Sequence, residues 1–376
     1  MQVVDPSAYT PPYDRALCAA LAAAGAEVEL VTSEFLYGPV PAAEGYAVSE
    51  AFYRRGPRRA GSRARLAAKL AQHPFDMRRL ARGDGLAIPR PDLRHFQWLT
   101  VQHYDARVLR RLREPLVLTA HDLLPREPRP GQRRAQRRLY DAVDAVIVHS
   151  EHGRRRLVEE LGVDPAKPRV IPHGVLDYLT RIPGRRPLDP ELAAWAGDRP
   201  LALFFGLLRP YKGLDDLLRA WREVRDPEAR LLIAGMPRMP LAPLRELADE
   251  RVRFEPRFVT DPELPALFDR ADLVVLPYRE IDQSGVLYTA LAFGKACLLT
   301  RVGGFAEVGE QDGAARLVEP GDPAALGAAL GELLGDPDAR GRLEAAARAA
   351  GASRYSWSAI AANTLELYRE LIEARQ

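Results

Sequence analysis

The sequence predicts an α/β protein built from two parallel-sheet domains of similar size. Three observations carry that expectation. The chain has 376 residues, more than one ordinary core accommodates, so two domains are the default. Short β-branched runs alternate with segments of helical spacing along most of its length, as parallel sheets flanked by helices require. Most of the strand-like runs are apolar throughout, the mark of strands buried on both faces.

In chain order, Val3-Val4 forms the first strand and leads into a proline-rich turn over residues 5–12. That strand starts at Met1 itself, which points to a start assigned too late. A helix over 16–24 and a strand over 28–31 follow. HFQWL (95–99) follows a strand approach, and its aromatics read as core in preference to a sugar platform. LVLTAHD (116–122), AVIVHS (145–150), RVIPHG (169–174), ALFFG (202–206), LLIAG (231–235), VRFEP (252–256), LVVLPY (273–278) and ACLLT (296–300) are the remaining strands. LDDLLRAWREV (214–224) and PAALGAALGELL (323–334) have helical spacing, and 357–371 is an amphipathic helix. The Pro/Arg/Gly-rich segment 179–200 marks the break. The expected domains are 1–180 and 195–354, with a final helix over 355–376 crossing back to the first.

Composition narrows the function. Hydrophobic residues make up 47% and charged residues 28%, the balance of a soluble globular chain with large cores. No apolar stretch reaches the roughly 18–20 residues of a membrane span, and no signal peptide is evident. Cys18 and Cys297 lie far apart without metal-ligand spacing and read as buried apolar residues, not a disulfide. A cytoplasmic protein, peripheral at most to the inner membrane face, is the expectation. A net charge of +3 without interleaved aromatics argues against nucleic acid. The span 54–82 is an exception, with nine arginines and Lys69 against the single acid Asp76. Leu66, Leu70, Phe75, Met77 and Leu80 are interleaved. Such a segment suits an anionic membrane surface, and as well a solvated face of an arginine-rich protein. REPRPGQRRAQRR (126–138) is similarly basic.

Chemistry gathers where strands end. In FFGLLRPYKGLDDLL (204–218) a strand ends at Gly206 and a loop carries Arg209 and Lys212 before the next helix. Two cations beside free backbone N–H groups suit a phosphate or diphosphate. Lysine occurs only at 69, 167, 212 and 295, so Lys212 is the more informative of the two. In YREIDQSGVLYTALAFGK (278–295), a helix starting near Ser284 would offer the N–H groups of Gly285 and Val286 with the positive end of its dipole. Ser284 also fits a plain N-cap. Glu280 and Asp282 cannot bind phosphate but suit sugar or ribose hydroxyls, or the cation that holds the phosphates. Together these features argue for a nucleotide-sugar site.

The second half, through FFGLLRPYKGLDDLLRAW, LLIAG, EPRFVTDPELPALFDRADLVVLPY (255–278) and GVLYTALAFGKACLLTRVGGFAEV (285–308), resembles the nucleotide-binding domain of retaining family 4 glycosyltransferases. VIPHGV (170–175) and AVIVHSEHGRRRL (145–157) resemble the end of that family's first domain. The resemblance spans residues 96–368 and rests on the order of the pieces. It implies the GT-B fold, two facing Rossmann-like domains with an interdomain cleft, and metal-independent transfer from a UDP- or GDP-sugar, with no other cofactor. It implies that Arg209 and Lys212 bind the donor diphosphate with Gly206, Gln283, Ser284, Gly285 and Val286 near it. Arg257, Phe258 and Val259 would lie against the base, and His121, in TAHD, would contact the donor sugar near the reacting centre. His173 stands where the family usually has asparagine.

The resemblance departs at one place. The family usually carries two glutamates seven residues apart. Thr289 stands where the second belongs, and for the first Asp282 fits with one deletion and Glu280 fits less well. The QSG sequence resembles a subset of the family lacking the pair. A retaining hexosyltransferase acting on a glycan, lipid-linked or small-molecule acceptor is therefore the leading expectation. A nucleotide-sugar 2-epimerase and an inactive transferase-like partner protein are the alternatives.

Overall fold

The computed structural model describes residues 1–59, 61–124 and 130–375. Arg126, Glu127, Pro128 and Arg129 of the second basic cluster lie outside the described residues, as do Ala60 and Gln376.

Among the described residues, thirteen strands form two wholly parallel sheets. The first holds β1 (Gln2–Asp5), β2 (Glu29–Ser33), β3 (Ala47–Phe52), β4 (Arg94–Phe96), β5 (Leu116–Thr119), β6 (Ala145–Val148) and β7 (Pro168–Val170). Their order is β3-β2-β1-β4-β5-β6-β7. The second holds β8 (Leu201–Phe205), β9 (Arg230–Ala234), β10 (Val252–Glu255), β11 (Leu273–Leu276), β12 (Cys297–Thr300) and β13 (Arg316–Val318), in the order β10-β9-β8-β11-β12-β13. Each is a doubly wound sheet whose order reverses beside its first strand, at β1/β4 and at β8/β11. Ligands of such sheets sit beyond the carboxyl ends at that reversal.

The apolar strands form because every position is covered. β5, β6, β11 and β12 are buried at all four residues. Three strands carry no such signal and lie beyond what the sequence reading found. β3 and β13 are edges with partly exposed residues. β4 is fully buried but reads Arg-His-Phe, and its polar side chains are satisfied internally. Arg94 Nε donates to Gln2 Oε1 (2.7 Å). His95 contacts Thr119 Oγ1 and the Tyr368 hydroxyl, each at 2.6 Å.

The chain divides into Met1–Gly174 with Trp357–Gln376, and Val175–Ser356. The division falls earlier than the 179–200 segment, which is ordered within the second unit. Its composition conceals the helix Pro190–Ala196, whose cap, Asp189, accepts from Glu191 N and Leu192 N. Proline at the first helical position gives up an N–H that would lack an acceptor anyway. Leu179, Leu192 and Ala196 join the second core. The same rule moves the first helix forward, since it begins at Pro11 and not at residue 16. The helix Trp357–Glu373 packs Ile360, Ala361, Leu367 and Tyr368 into the core of the first unit with Tyr13, Leu17 and Leu21. Cys18 and Cys297 are both buried free thiols. No helix among the described residues is long and apolar enough to cross a membrane.

Candidate functional site

The reversal point of the second sheet collects most of the residues singled out from the sequence. β8 ends at Phe205, and the loop turns at Gly206 (φ 119°). A Cβ there would lie 2.8 Å from Lys212 Nζ and 3.2 Å from Val286 Cγ2. Glycine thus lets the lysine and the 285–292 helix approach one backbone point. The loop returns through the turn Pro210–Lys212 to Gly213 (φ 67°), whose Cβ would meet the Pro277 carbonyl at 2.0 Å. Gly213 therefore closes the loop against the end of β11.

Lys212 is buried, and its Nζ donates to the Tyr278 hydroxyl at 2.7 Å while lying 4.6 Å from that ring's centre. Tyr278, also buried, follows the end of β11, with its hydroxyl 3.5 Å from Ser284 Oγ. Arg209 is half-buried, and its Nε is shut from solvent with no hydrogen-bond partner among the described residues. A guanidinium N–H left in that state is costly unless a ligand completes it, by about 1–3 kcal/mol or more for a charged group. Arg279 ties the loop down from the other side. Its Nε donates to Asp216 Oδ2 (2.9 Å), its Nη2 to Asp215 Oδ2 (2.7 Å), and its backbone N to Tyr211 O (2.8 Å). Those two hydrogen-bonded carboxylates raise the Arg279 pKa further.

The helix Gly285–Ala292 begins at the same place, with Ser284 in the N-cap position. The Ser284 side chain makes no capping hydrogen bond. The N–H groups of Gly285 and Val286 have no acceptor inside their own helix and carry the positive end of its dipole. Thr289 is buried, and its hydroxyl donates to Gly285 O at 3.0 Å. Only its oxygen lone pairs remain for a ligand hydroxyl. Asp282 and Gln283 are half-buried on the loop before the helix, and Glu280 is exposed. Asp282 accepts from Gly304 N through its backbone carbonyl (3.2 Å).

Arg257, Phe258 and Val259 follow β10, two strands along the sheet from β8. Arg257 pairs with Glu263 (2.8 Å). With the Thr260 hydroxyl and N–H, that guanidinium holds Glu263 down to about 2 against the opposing effect of burial. Phe258 is exposed and Val259 buried.

His121 belongs to the first unit, just beyond β5. Its Nε2 contacts Gln97 Oε1 at 3.0 Å, and its ring stacks on Trp98 at 5.1 Å. It is one of three histidines that follow successive strands. His121 and His149 have ring centres 5.4 Å apart, and His149 and His173 5.3 Å, with Tyr13 packed against all three. Burial pulls His149 down to about 4, and burial together with the neighbouring His149 pulls His173 down to about 3. The same causes hold His121 well below the ordinary imidazole value. All three are therefore neutral at physiological pH. Near the end of β1, Asp5 accepts from the N–H groups of Ser7 (3.1 Å), Tyr9 (2.6 Å) and Thr10 (3.3 Å) and so shapes the proline-rich turn.

Sequence reasoning found the proline-rich turn but missed Tyr278, Arg279 and the Asp5 carboxylate that shapes that turn. A signal was present for the first: LVVLPY ends an apolar run on a tyrosine at a strand's carboxyl end. Among the described residues no group of histidine, cysteine, aspartate and glutamate is arranged to hold a metal ion.

Residues 15–176 match the family described as Glycosyltransferase Family 4, and residues 199–336 match that described as Glycosyl transferases group 1. A D-inositol 3-phosphate glycosyltransferase of Kineococcus radiotolerans is 30% identical over 74% of this chain and 69% of its own. A GDP-mannose:glycolipid 4-beta-D-mannosyltransferase of Xanthomonas campestris is 32% identical over 60% of this chain. The match spans 64% of that relative's length, slightly under two thirds. The sucrose-phosphate synthase structure from Thermosynechococcus elongatus superposes with a TM-score of 0.74 over 99% of each chain, at 21% identity.

Proposed function

Because this chain belongs to the family 4 glycosyltransferases, we propose that it moves a glycosyl group from a UDP- or GDP-sugar to an acceptor hydroxyl. The acceptor is a glycan, a lipid-linked molecule or a small molecule held by the first unit. The observation that carries this reading is the buried Lys212 beside an Arg209 Nε that has no hydrogen-bond partner among the described residues. Both lie on the loop after β8, at the reversal of a doubly wound sheet, where an anionic ligand is expected.

In this reading the sugar C1–O bond to the β-phosphate breaks as the acceptor oxygen bonds to C1. The acceptor's proton passes to a β-phosphate oxygen of the departing nucleoside diphosphate. Arg209, Lys212 and the N–H groups of Gly285 and Val286 stabilise the charge that develops on the leaving group, which is catalysis by preorganised electrostatics. His121, held neutral by burial, presents an uncharged donor or acceptor to a sugar hydroxyl. Thr289 and Asp282 receive ribose and sugar hydroxyls. Attack on the face that the diphosphate leaves gives retention, with no metal required.

The test is calorimetric titration with UDP, GDP and ADP of the native protein and of Lys212→Ala. One nucleotide is expected to bind in the micromolar range. The variant should lose about 10- to 150-fold, the worth of a charge-assisted hydrogen bond. If none binds, transfer is overturned in favour of an inactive partner protein. Activity that survives a chelator, and an NMR assignment of the product anomer matching the donor's, test the two finer points.

A further inference from the structure

The helix Arg63–Arg82 is mounted on the first unit by one side. Its Ser62 cap accepts from Arg65 N at 3.2 Å. Gln72 Oε1 accepts from Arg55 N (2.9 Å), and Asp76 Oδ2 from Tyr53 N (2.9 Å). His73 Nε2 meets the buried Asp105 carboxylate at 2.5 Å, and Met77 and Leu80 enter the core. Every neutral polar side chain and the one carboxylate of this helix are thus turned toward the protein.

What remains outside is unusual for a solvated helix. Leu66, Leu70 and Phe75 are 60%, 53% and 64% exposed. The other exposed positions are alanines and the arginines Arg63, Arg78 and Arg82. At about 100° per residue, the exposed positions span about half the helix circumference, an arc interrupted by the buried Met77 and the half-buried Pro74. That half-cylinder carries no acid and no neutral polar group. The helix Trp357–Glu373 of the same unit shows the ordinary alternative, because Asn363, Glu366, Arg369 and Glu370 all lie on its exposed side.

We propose that the outer face of the helix Arg63–Arg82 docks on an anionic lipid bilayer. The helix would lie along the surface, with Leu66, Leu70 and Phe75 at the acyl boundary and the arginines at the headgroup phosphates. Charge complementarity selects this occupant. Arg54, Arg55, Arg58 and Arg59 lead into the helix and are exposed too; Arg58 pairs with Glu34, and the approach as a whole keeps more cations than acids. A basic face with large apolar side chains binds such surfaces by burying apolar area and by attraction to anionic headgroups. Twenty residues give a contact about 30 Å long. Docking by this face is independent of transferase chemistry and persists if the protein proves inactive.

The test is co-flotation of the full chain with vesicles of phosphatidylcholine alone and with about 30% phosphatidylglycerol, as a proxy for an anionic leaflet. Partition onto the anionic vesicles should exceed that onto neutral ones by at least about tenfold and fall with added salt. The triple variant Leu66→Ser/Leu70→Ser/Phe75→Ser should lose about tenfold or more. Arg63→Gln/Arg78→Gln/Arg82→Gln should lose about as much, and most of the salt dependence with it. Both sets change only exposed side chains, and unchanged thermal melting confirms the fold. Equal partition onto the two vesicle types, or undiminished binding by both variants, overturns the proposal. So does a native dimer in sedimentation that the apolar variant dissociates, since the face would then be covered by a second copy.

Discussion

At the carboxyl end of the first sheet most polar groups answer one another, while at the second the Arg209 Nε is left without a hydrogen-bond partner among the described residues. Around His121, His149 and His173 most polar atoms find partners in the same unit. His121 meets Gln97, His149 Nδ1 meets Ile171 O (2.9 Å), and His173 Nδ1 meets Gly174 O (2.6 Å). Among the described residues, His149 Nε2 is buried without a partner. Around Lys212 the arrangement is instead two cations, a helix start and glycines that keep side chains out. The same doubly wound topology thus closes one mouth largely with its own residues and leaves an arginine Nε unmatched among the described residues at the other, where we propose that an anion binds. The residue types beyond the strands make the difference.

The contrast is broken most severely at Gly213, where the loop after β8 touches the end of β11. Gly213→Ala combines a left-handed backbone with a Cβ 2.0 Å from the Pro277 carbonyl, and should cost about 3 kcal/mol or more. Gly131, also left-handed (φ 81°), has nothing within 4 Å of its added Cβ. Gly131→Ala should therefore cost only about 1 kcal/mol, the backbone part alone. Urea unfolding of both variants separates contact from backbone. Equal losses would show that the close approach to Pro277 is not what holds the lysine loop.

The histidine side of the contrast is read by pH. His95, His149 and His173 have folded values near 3, 4 and 3, drawn down by burial first. Between about pH 6.5 and 4 the unfolded chain binds protons that these folded imidazoles refuse. Their stabilising contribution is present above about pH 6.5 and is lost as pH falls, by up to about 1.4 kcal/mol per pH unit for each. Asp5 and Asp14 act in the opposite sense. Burial raises both, and Asp14 further because Asp5 lies beside it. Folded, they keep protons that the unfolded chain releases, so their contribution is present at acid pH and is lost as pH rises. A difference measurement isolates one imidazole. His149→Phe should flatten the wild-type slope of stability against pH by up to about 1.4 kcal/mol per unit. An unchanged slope would mean that His149 protonates in the fold as readily as outside it.

The sheets were legible where physics leaves one signal. β5, β6, β8, β9, β11 and β12 are apolar runs with both faces covered, and nothing else in a soluble chain looks like them. β4 was not legible as a strand, because Arg94 and His95 are buried by Gln2, Thr119 and Tyr368, partners remote in sequence. The 179–200 segment was misread as a linker because proline and glycine mark helix ends as well as loops. At the candidate site Lys212 was visible through the rarity of lysine. Of the others, Lys167 donates to the carbonyls of Tyr140, Asp141 and Val143, and Lys295 to those of Asp269 and Ala271. Those two lysines bind their own backbone, which no motif announces, and only the fold separates them from Lys212.

The smallest expected effect probes the departure from the paired glutamates. The Thr289 hydroxyl hydrogen is committed to Gly285 O, so a ribose hydroxyl can be met only by a neutral oxygen lone pair. Such a hydrogen bond is worth about 0.5–1.5 kcal/mol, half or less of a charge-assisted one. Thr289→Val keeps the shape and removes the hydroxyl, and should weaken nucleoside diphosphate binding by about 2- to 12-fold. Inorganic pyrophosphate, which has no ribose, should bind the variant as it binds the native protein. Equal losses for the two ligands would place the defect in the helix start and not in ribose contact. A loss beyond about a hundredfold for the nucleotide alone would be too large for one neutral hydrogen bond. Thr289 would then be carrying what a glutamate carries elsewhere in the family, and the second mouth would need a further polar partner beside it.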